Sequence, residues 1–450
     1  MFQKVLIANR GEIARRVIRA CREEGIQSVA VYSDADAEAP HVREADAAVR
    51  LGPANVKESY LNVDAVIAAA KAEGVDAVHP GYGLLSENGA FARRVQAEGM
   101  TFIGPAPDIM ELMGSKLEAR KQMKAAGVPV IPGTEEAAAD EDAAARAAAD
   151  IGYPVMLKAS AGGGGIGMQL VQDEEELRKA FAGNQHRAEQ FFGDGAMYVE
   201  KALIRPRHVE IQLLADAHGN VIYAGERDCS IQRRNQKVVE EAPAPHISDG
   251  LRKKMGEASV KAAEKIGYTN AGTVEFLVDE HENFYFLEMN TRLQVEHPVT
   301  EEVTGIDLVR SQLAVAAGEV LSYSQNDISL TGHAIEVRIY AEDPERFLPS
   351  PGTIQHVELP EGEGIRHECW VESGTKVTPY YDPMLAKMIS RGGSRAEAVE
   401  RMQTALKAYE VEGIKTNIPF LIRVMESEAF QTGELSTSFI EEFQRASNNA

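Results

Sequence analysis

Two stretches of this sequence, far apart along the chain, hold residues whose types and spacing could do chemistry. The first is YPVMLKASAGGGGIGMQLV, residues 153–171, in which Lys158 leads into Gly162, Gly163, Gly164 and Gly165, with Gly167 beyond. Such glycines let consecutive backbone N–H groups close around phosphate oxygens, in conformations that other residues rarely adopt. The loop does not run straight into a helix, as a dinucleotide-binding turn would, and it does not end in Gly-Lys-Ser/Thr like a P-loop. Residues 168–171 alternate like a strand, and a helix start, Asp173 with Glu176 three residues on, comes only afterwards. Strand, glycine loop and strand, with a lysine on the incoming strand, predict a flap that closes over a nucleotide.

The second stretch holds two strand-like runs, AGTVEFLVDE and NFYFLEMN, which turn near residues 280–283. A symmetric four-residue loop would pair Asp279 with Phe284 and set Glu275 opposite Glu288 and Thr273 opposite Asn290. Val274, Phe276, Tyr285 and Leu287 would then fill the other face. Two carboxylates directly opposite repel unless a cation lies between them. With an amide oxygen they form a hard ligand set suited to Mg²⁺ shared with phosphates, and a slip of one residue would dissolve it. Just downstream, Arg292, Gln294 and Glu296 alternate in NTRLQVEHP. A guanidinium and a carboxylate beside a metal could bind a small anion and take its proton, or could simply pair at a strand end.

The elements that must position these residues follow from local patterns. VLIAN, a helix at 12–24, SVAVYS, a helix at 63–72, AVHP, a helix from about Asn88 and TFIG predict a doubly wound parallel sheet over residues 1–112. The turn Asn9-Arg10-Gly11-Glu12 lacks the dinucleotide glycines. Gly81-Tyr82-Gly83 and Ser86-Glu87-Asn88 follow a strand end, where open α/β sheets bind ligands, and equally suit a tight turn and an N-cap. Ser115 with Glu118 predicts a capping box for a helix running to Ala126, which puts Lys116 at a helix N-terminus that favours anions. Residues 130–203 read as a small α+β unit. The end of its last strand, residues 200–203, suits either backbone contact with adenine or a plain strand end. His208 and Glu210 share a face of the next strand. In GERDCSIQRRNQKVVEEAP, residues 225–243, Cys229, Ile231, Val238 and Val239 interleave with paired charge, which reads as a site lining. Asp307 caps a helix to Ala317. From His333 the chain is strand-rich, with Arg338 in the middle of AIEVRIY, where a charge needs a partner or a site. Ser394 with Glu397 boxes a further helix, and residues 420–428 suggest another.

Composition narrows the function classes. A chain of 450 residues, 44% hydrophobic and 26% charged, holds two or three domains with sizeable cores. A net charge of −22 argues against nucleic acid or an anionic membrane as partner. No apolar run approaches the ~20 residues of a membrane span, and the N-terminus passes from strand to amphipathic helix rather than reading as a signal peptide. Cys21, Cys229 and Cys369 stand in no metal or disulfide spacing, so a reducing cytoplasm is expected.

Taken together, IANRGEIA, HPGYGLLSEN, KASAGGGGIGM, RHVEIQ, ERDCSIQRRNQKVVEEAPAP, FLEMNTRLQVEHPVTE, GHAIEVRIYAEDP, FLPSPGTI and YYDPMLAKM make the chain resemble, from end to end, the biotin carboxylase subunits of biotin-dependent carboxylases, within the ATP-grasp enzymes. The resemblance implies an α/β and α+β fold. It comprises a Rossmann-like preATP-grasp domain (1–112), a helical linker (113–129), an ATP-grasp lid (130–203), an ATP-grasp core (204–330) and a β-rich C-terminal domain (331–450). It also implies ATP- and bicarbonate-dependent carboxylation of biotin N1 through carboxyphosphate, with two Mg²⁺ or Mn²⁺ ions. A separate biotin carboxyl carrier protein, separate carboxyltransferase subunits and a homodimer are expected. By position, Lys116 and Lys158 would hold ATP phosphates under Gly162, Gly163, Gly164 and Gly165. Glu200 and Leu203 would lie at adenine, and His208 and Gln232 toward the ribose. Glu275, Glu288 and Asn290 would bind the metal, and Lys237, Arg292, Gln294 and Val295 would hold bicarbonate. Glu296 would be the general base, and Arg338 would stabilise the biotin enolate.

Two positions depart from the pattern: Ile166, where many relatives carry Arg or Lys, and Asn235, where His is usual. Ala386-Lys387-Met388 is similar to a biotin acceptor motif but belongs to the YYDPMLAKM segment and is read as structural. Rival readings are the corresponding subunit of a pyruvate or propionyl-CoA carboxylase, another ATP-grasp ligase such as a carbamoyl-phosphate-type synthetase, and a nucleotide-binding regulator that has lost catalysis.

Overall fold

Five parallel strands open the chain: β1 (Lys4–Ile7), β2 (Gln27–Ser33), β3 (Ala47–Gly52), β4 (Ala77–His79) and β5 (Thr101–Phe102), in the order β3-β2-β1-β4-β5. The computed structural model describes residues 1–161 and 167–449. Gly162, Gly163, Gly164, Gly165 and Ile166, the basis for the phosphate flap and its missing cation, lie outside the described residues. Val5, Leu6, Ile7, Val29 and Val31 are fully buried, as expected of parallel strands covered on both faces. Strand β3, at the edge, is the one that sequence reading omits, because AAVRLG is exposed at alternate positions. The strand order reverses between β1 and β4, so the turns after these two strands lie side by side at a topological switch point. Gly81 holds φ +63° there, and a Cβ would come within 2.8 Å of Asn9 Nδ2, which donates to the Pro80 and Tyr82 carbonyls. Asn88 caps the next helix by accepting from Phe91 N–H at 2.8 Å.

The lid is a three-stranded antiparallel sheet, β7-β6-β8, of β6 (Val155–Ala159), β7 (Met168–Val171) and β8 (Met197–Lys201). Lys158 pairs with Met168, so the strands flanking the glycine loop form the predicted hairpin. Gly167, at φ +74°, closes it where a Cβ would meet Ala159 Cβ at 2.8 Å. The helices Glu141–Ile151 and Glu174–Phe192 start on Asp140 and Asp173 caps and pack on the sheet through Ala145, Leu177 and Phe181.

The body is one antiparallel sheet of eight strands, in the order β13-β12-β9-β10-β11-β14-β19-β17. Its members are β9 (Arg207–Ala215), β10 (Val221–Arg233), β11 (Gln236–Ala242), β12 (Asn270–Val278), β13 (Phe284–Asn290), β14 (His333–Tyr340), β17 (Ile365–Cys369) and β19 (Met384–Gly392). Two small ribbons flank it: β15 (Gly352–Thr353) with β18 (Lys376–Val377), and β16 (His356–Glu358) with β20 (Glu410–Glu412). Pairing of β11 with β14 carries the sheet across residues 330–331. The helix Asp249–Ile266 packs behind one half, and the helices Arg395–Ala408 and Ile418–Glu426 behind the other.

The β12–β13 hairpin departs from expectation in an instructive way. Val278, not Asp279, pairs with Phe284, so the turn is one residue off the symmetric count. A bulge at Leu287 then adds one residue to β13, and the two offsets cancel. Glu275 faces Glu288 and Thr273 faces Asn290, as the sequence predicts. The apolar face is corrected: Phe286 and Met289 join Val274 and Phe276 in the core, while Leu287 turns to the cavity.

Candidate functional site

A cavity of about 740 Å³ lies between the switch point of the first sheet, the lid and the open face of the body sheet. Lys116, Lys158, His208, Gln232, Lys237, Glu275, Glu288, Asn290, Arg292, Gln294, Val295, Glu296 and Arg338 all line it. Glu200 and Leu203 do not appear among its lining residues. In a chain of net charge −22, Lys116, Lys158, Lys237, Arg292 and Arg338 all line this one cavity.

Lys237, on β11, sits at the centre. Its ammonium donates to Glu210 Oε2 at 2.6 Å, Glu275 Oε1 at 2.8 Å and Glu296 Oε1 at 2.6 Å. Burial works against its charge, but Glu210, Glu275 and Glu296 override it and hold the ammonium protonated. Glu210 is in turn fixed by fully buried Arg227, whose Nε donates to Oε1 at 2.6 Å. Glu296 is buried between Lys237 and Arg338, whose Nη2 donates to Oε2 at 2.9 Å. Burial opposes ionisation there, yet Lys237, Arg338 and Arg227 hold the carboxyl well below the usual carboxylate range.

The paired carboxylates are asymmetric. Glu275 also receives Asn290 Nδ2 at 2.7 Å and Gln294 Nε2 at 3.0 Å, and its Oε2 lies 2.9 Å from His208 Nε2. Against the burial penalty, Lys237 and then His208 keep Glu275 ionised. Burial and the facing Glu275 push Glu288 upward, with Lys116 opposing. A divalent cation between the two would remove that conflict, and two carboxylates with the Asn290 carbonyl are hard oxygen donors, so these residues fit Mg²⁺. His208 Nδ1 pairs with Gln232 Nε2 at 2.6 Å, which leaves Nε2 to carry the proton facing Glu275.

Arg292 reaches back to the first domain. Its Nε donates to Glu87 Oε2 at 2.9 Å, Nη1 to Gln294 Oε1 at 2.9 Å and Nη2 to Asn290 Oδ1 at 3.1 Å. Val295 is held through its carbonyl by Lys387 Nζ at 2.6 Å. That lysine is fully buried in β19, so the acceptor-like Ala386-Lys387-Met388 is structural here.

On the lid side, Lys116 begins the helix Lys116–Ala125 behind the Ser115 cap. Burial lowers its pKa, with Glu288 pulling the other way. Sequence reading misses Arg120, one turn further on the same face. Arg120 and Lys158 both hold the carboxylate of Glu200, Lys158 at 2.6 Å, so that side chain faces two cations. Two cations spaced i, i+4 on one helix were the available signal. Asn235 lines the cavity at φ +63°, in the two-residue turn between paired Arg233 and Gln236, a conformation asparagine takes readily.

Residues 1–110 match the biotin carboxylase N-terminal domain, residues 115–324 the ATP-binding domain of the carbamoyl-phosphate synthase L chain, and residues 336–442 the biotin carboxylase C-terminal domain. Biotin carboxylase 2 of Bacillus subtilis is 61% identical over 98% of this chain and 100% of its own length. The propionyl-CoA carboxylase alpha chain of Ruegeria pomeroyi is 50% identical over 98% of this chain and 68% of its own length. The biotin carboxylase domain dimer of Hydrogenobacter thermophilus 2-oxoglutarate carboxylase, solved with MgADP, ADP and bicarbonate, superposes with a TM-score of 0.96 at 50% identity, covering 99% of this chain and 98% of that one.

Proposed function

The chain belongs to the biotin carboxylase family, and from that premise we propose how its cavity works. The protein is an ATP-dependent ligase that carboxylates biotin with bicarbonate and uses Mg²⁺. Lys116 and Lys158 bind the phosphates of ATP, and His208 and Gln232 face its ribose. A metal ion held by Glu275, Glu288 and Asn290 supplies charge neutralisation on those phosphates. Lys237, Arg292, Gln294 and the backbone of Val295 hold bicarbonate, and Glu296, kept ionised, takes its proton. The freed oxygen attacks the γ-phosphorus as the bond to the ADP oxygen breaks, which yields carboxyphosphate and ADP. Carboxyphosphate splits into CO₂ and phosphate, and that phosphate removes the N1 proton of biotin. Arg338 stabilises the charge on the ureido oxygen while the enolate captures CO₂.

The observation that carries this reading is the Glu296 carboxylate shared between Lys237 and Arg338. It joins the residues of the bicarbonate step to the residue of the biotin step. A carbamoyl-phosphate-type ligase would share the first step but would leave Arg338 without a task. Biotin reaches the cavity on a separate carrier protein, a separate carboxyltransferase completes the reaction, and the enzyme works as a cytoplasmic homodimer. No helix among the described residues is long and apolar enough to cross a membrane. We assign the first half-reaction of an acyl-CoA carboxylase that serves fatty acid synthesis. A co-purifying carboxyltransferase specific for pyruvate or 2-oxoglutarate would revise that acceptor.

Purified protein with Mg²⁺ and ATP is expected to release phosphate only when bicarbonate is present, and faster with free biotin. Hydrolysis at the same rate without bicarbonate would contradict the assignment.

A further inference from the structure

Behind Arg338 lies a carboxyl pair that the reaction described above leaves without a role. Glu240 on β11 and Glu336 on β14 stand directly opposite each other, both completely buried. Glu240 Oε1 accepts from Arg338 Nε at 2.6 Å, while Nη2 of the same guanidinium donates to Glu296 Oε2 at 2.9 Å. One guanidinium is therefore clamped between two carboxylates. The other oxygen of Glu240 and both oxygens of Glu336 are buried with no hydrogen-bond partner among the described residues. Two buried carboxylates facing each other across adjacent strands repel, and a buried unpaired charge is costly. A single proton on the pair relieves both.

We propose that Glu240 is a positioning residue for Arg338, fixing the plane of its guanidinium for the biotin step, and that Glu336 holds the proton that leaves Glu240 free to carry its charge. The inference rests on the reading of Arg338 given above. The charged and titratable groups facing the pair are Arg338 and Tyr340 on β14, Lys237 on β11, Cys229 on β10, Lys387 on β19 and Glu296 from the turn after β13. Burial lifts Glu240 to about 7, with Arg338 pulling it down, and lifts Glu336 well above the carboxylate range. Arg338 donates to Glu240 while neither oxygen of Glu336 has a partner, so the charge of the pair rests on Glu240 and the proton on Glu336. Loss of that proton at high pH would set a second negative charge against Glu240. Arg338's field weakens, and carboxylation falls.

The test measures ADP and carboxybiotin in parallel on the full chain with ATP, Mg²⁺, bicarbonate and free biotin, with Arg338→Ala as reference. Glu240→Gln should lower carboxybiotin formation on the order of 10- to 100-fold, the scale at which the outer partner of a working group usually matters. Bicarbonate-dependent ADP formation should stay within about threefold of wild type, because Glu296 keeps Lys237. Glu240→Asp keeps the charge and withdraws it by one methylene, so it should show the same split at smaller size. Glu336→Gln cannot lose a proton and should move the alkaline limb of carboxylation to higher pH. If Arg338→Ala splits the two activities but both Glu240 variants track wild type, or lose both activities in equal proportion, the inference fails and the reading of Arg338 stands. If Arg338→Ala itself loses both equally, the reading of Arg338 fails and this inference goes with it.

Discussion

Glu12, in the first turn of the helix Gly11–Glu23, is 2% exposed, and neither of its carboxyl oxygens has a hydrogen-bond partner among the described residues. Lys387 Nζ lies 3.4 Å away but makes its short contact with the Val295 carbonyl at 2.6 Å. Burial therefore dominates and pushes Glu12 up to about 7, with Lys387 opposing. In the unfolded chain a glutamate releases its proton near ~4.3. Between that value and about 7 the folded state binds more protons, so stability falls as pH rises through the window and stays reduced above it. Glu12→Gln cannot titrate. Its stability relative to the wild type should rise by on the order of 3–4 kcal/mol as pH crosses the window. A difference that stays constant from acid to alkaline pH would show that Glu12 is not the group holding this proton.

At the scale of elements, the β12–β13 hairpin decides how much of the site can be read from sequence. The pairing of Glu275 with Glu288 was read from period-two alternation across an assumed four-residue turn, and it stands only because the longer turn and the bulge offset each other. The bulge was not legible, since only cross-strand packing selects which residue is extra. Its result is that Leu287 stands beside Glu288 in the cavity instead of in the core. An apolar side chain among charged neighbours there suits a flat apolar ligand surface such as a nucleobase. Leu287→Ala should raise the KM for ATP about tenfold, the low end of what burial of a leucine contributes, with kcat little changed. An unchanged KM would remove Leu287 from the nucleotide site. The helix caps at Asp173, Ser115, Asp307 and Ser394 were legible for a simpler reason, being local. Arg120 escaped because its partner Glu200 lies eighty residues away in sequence.

Across the whole molecule, the cavity exists because three units converge on it. The first sheet contributes its switch point, where Arg10 pairs with Asp36 at 2.6 Å and is sandwiched between Trp370 and Tyr381 from the C-terminal region. The lid contributes Lys158, and the eight-stranded sheet contributes Lys237, Glu275, Glu288 and Arg338. The first sheet and the strands around the glycine loop were legible in periodicity and turn chemistry, whereas the eight-stranded sheet runs across residues 330–331, where the sequence suggests a boundary. The pairing of β11 with β14, which places Arg338 against Glu240 and Glu296, is a contact between distant segments that no local pattern encodes. It brings Arg338, from the last third of the chain, to the buried carboxylate of Glu296. In the reaction proposed above, bicarbonate stripped of its proton by Glu296 attacks the γ-phosphoryl of ATP. Turnover with ¹⁸O-labelled bicarbonate in unlabelled water tests this most directly, read as the isotope content of the released phosphate. One bicarbonate oxygen is expected in each phosphate formed, since the attacking oxygen stays on phosphorus when carboxyphosphate splits. Unlabelled phosphate, with the new oxygen drawn from water, would contradict it.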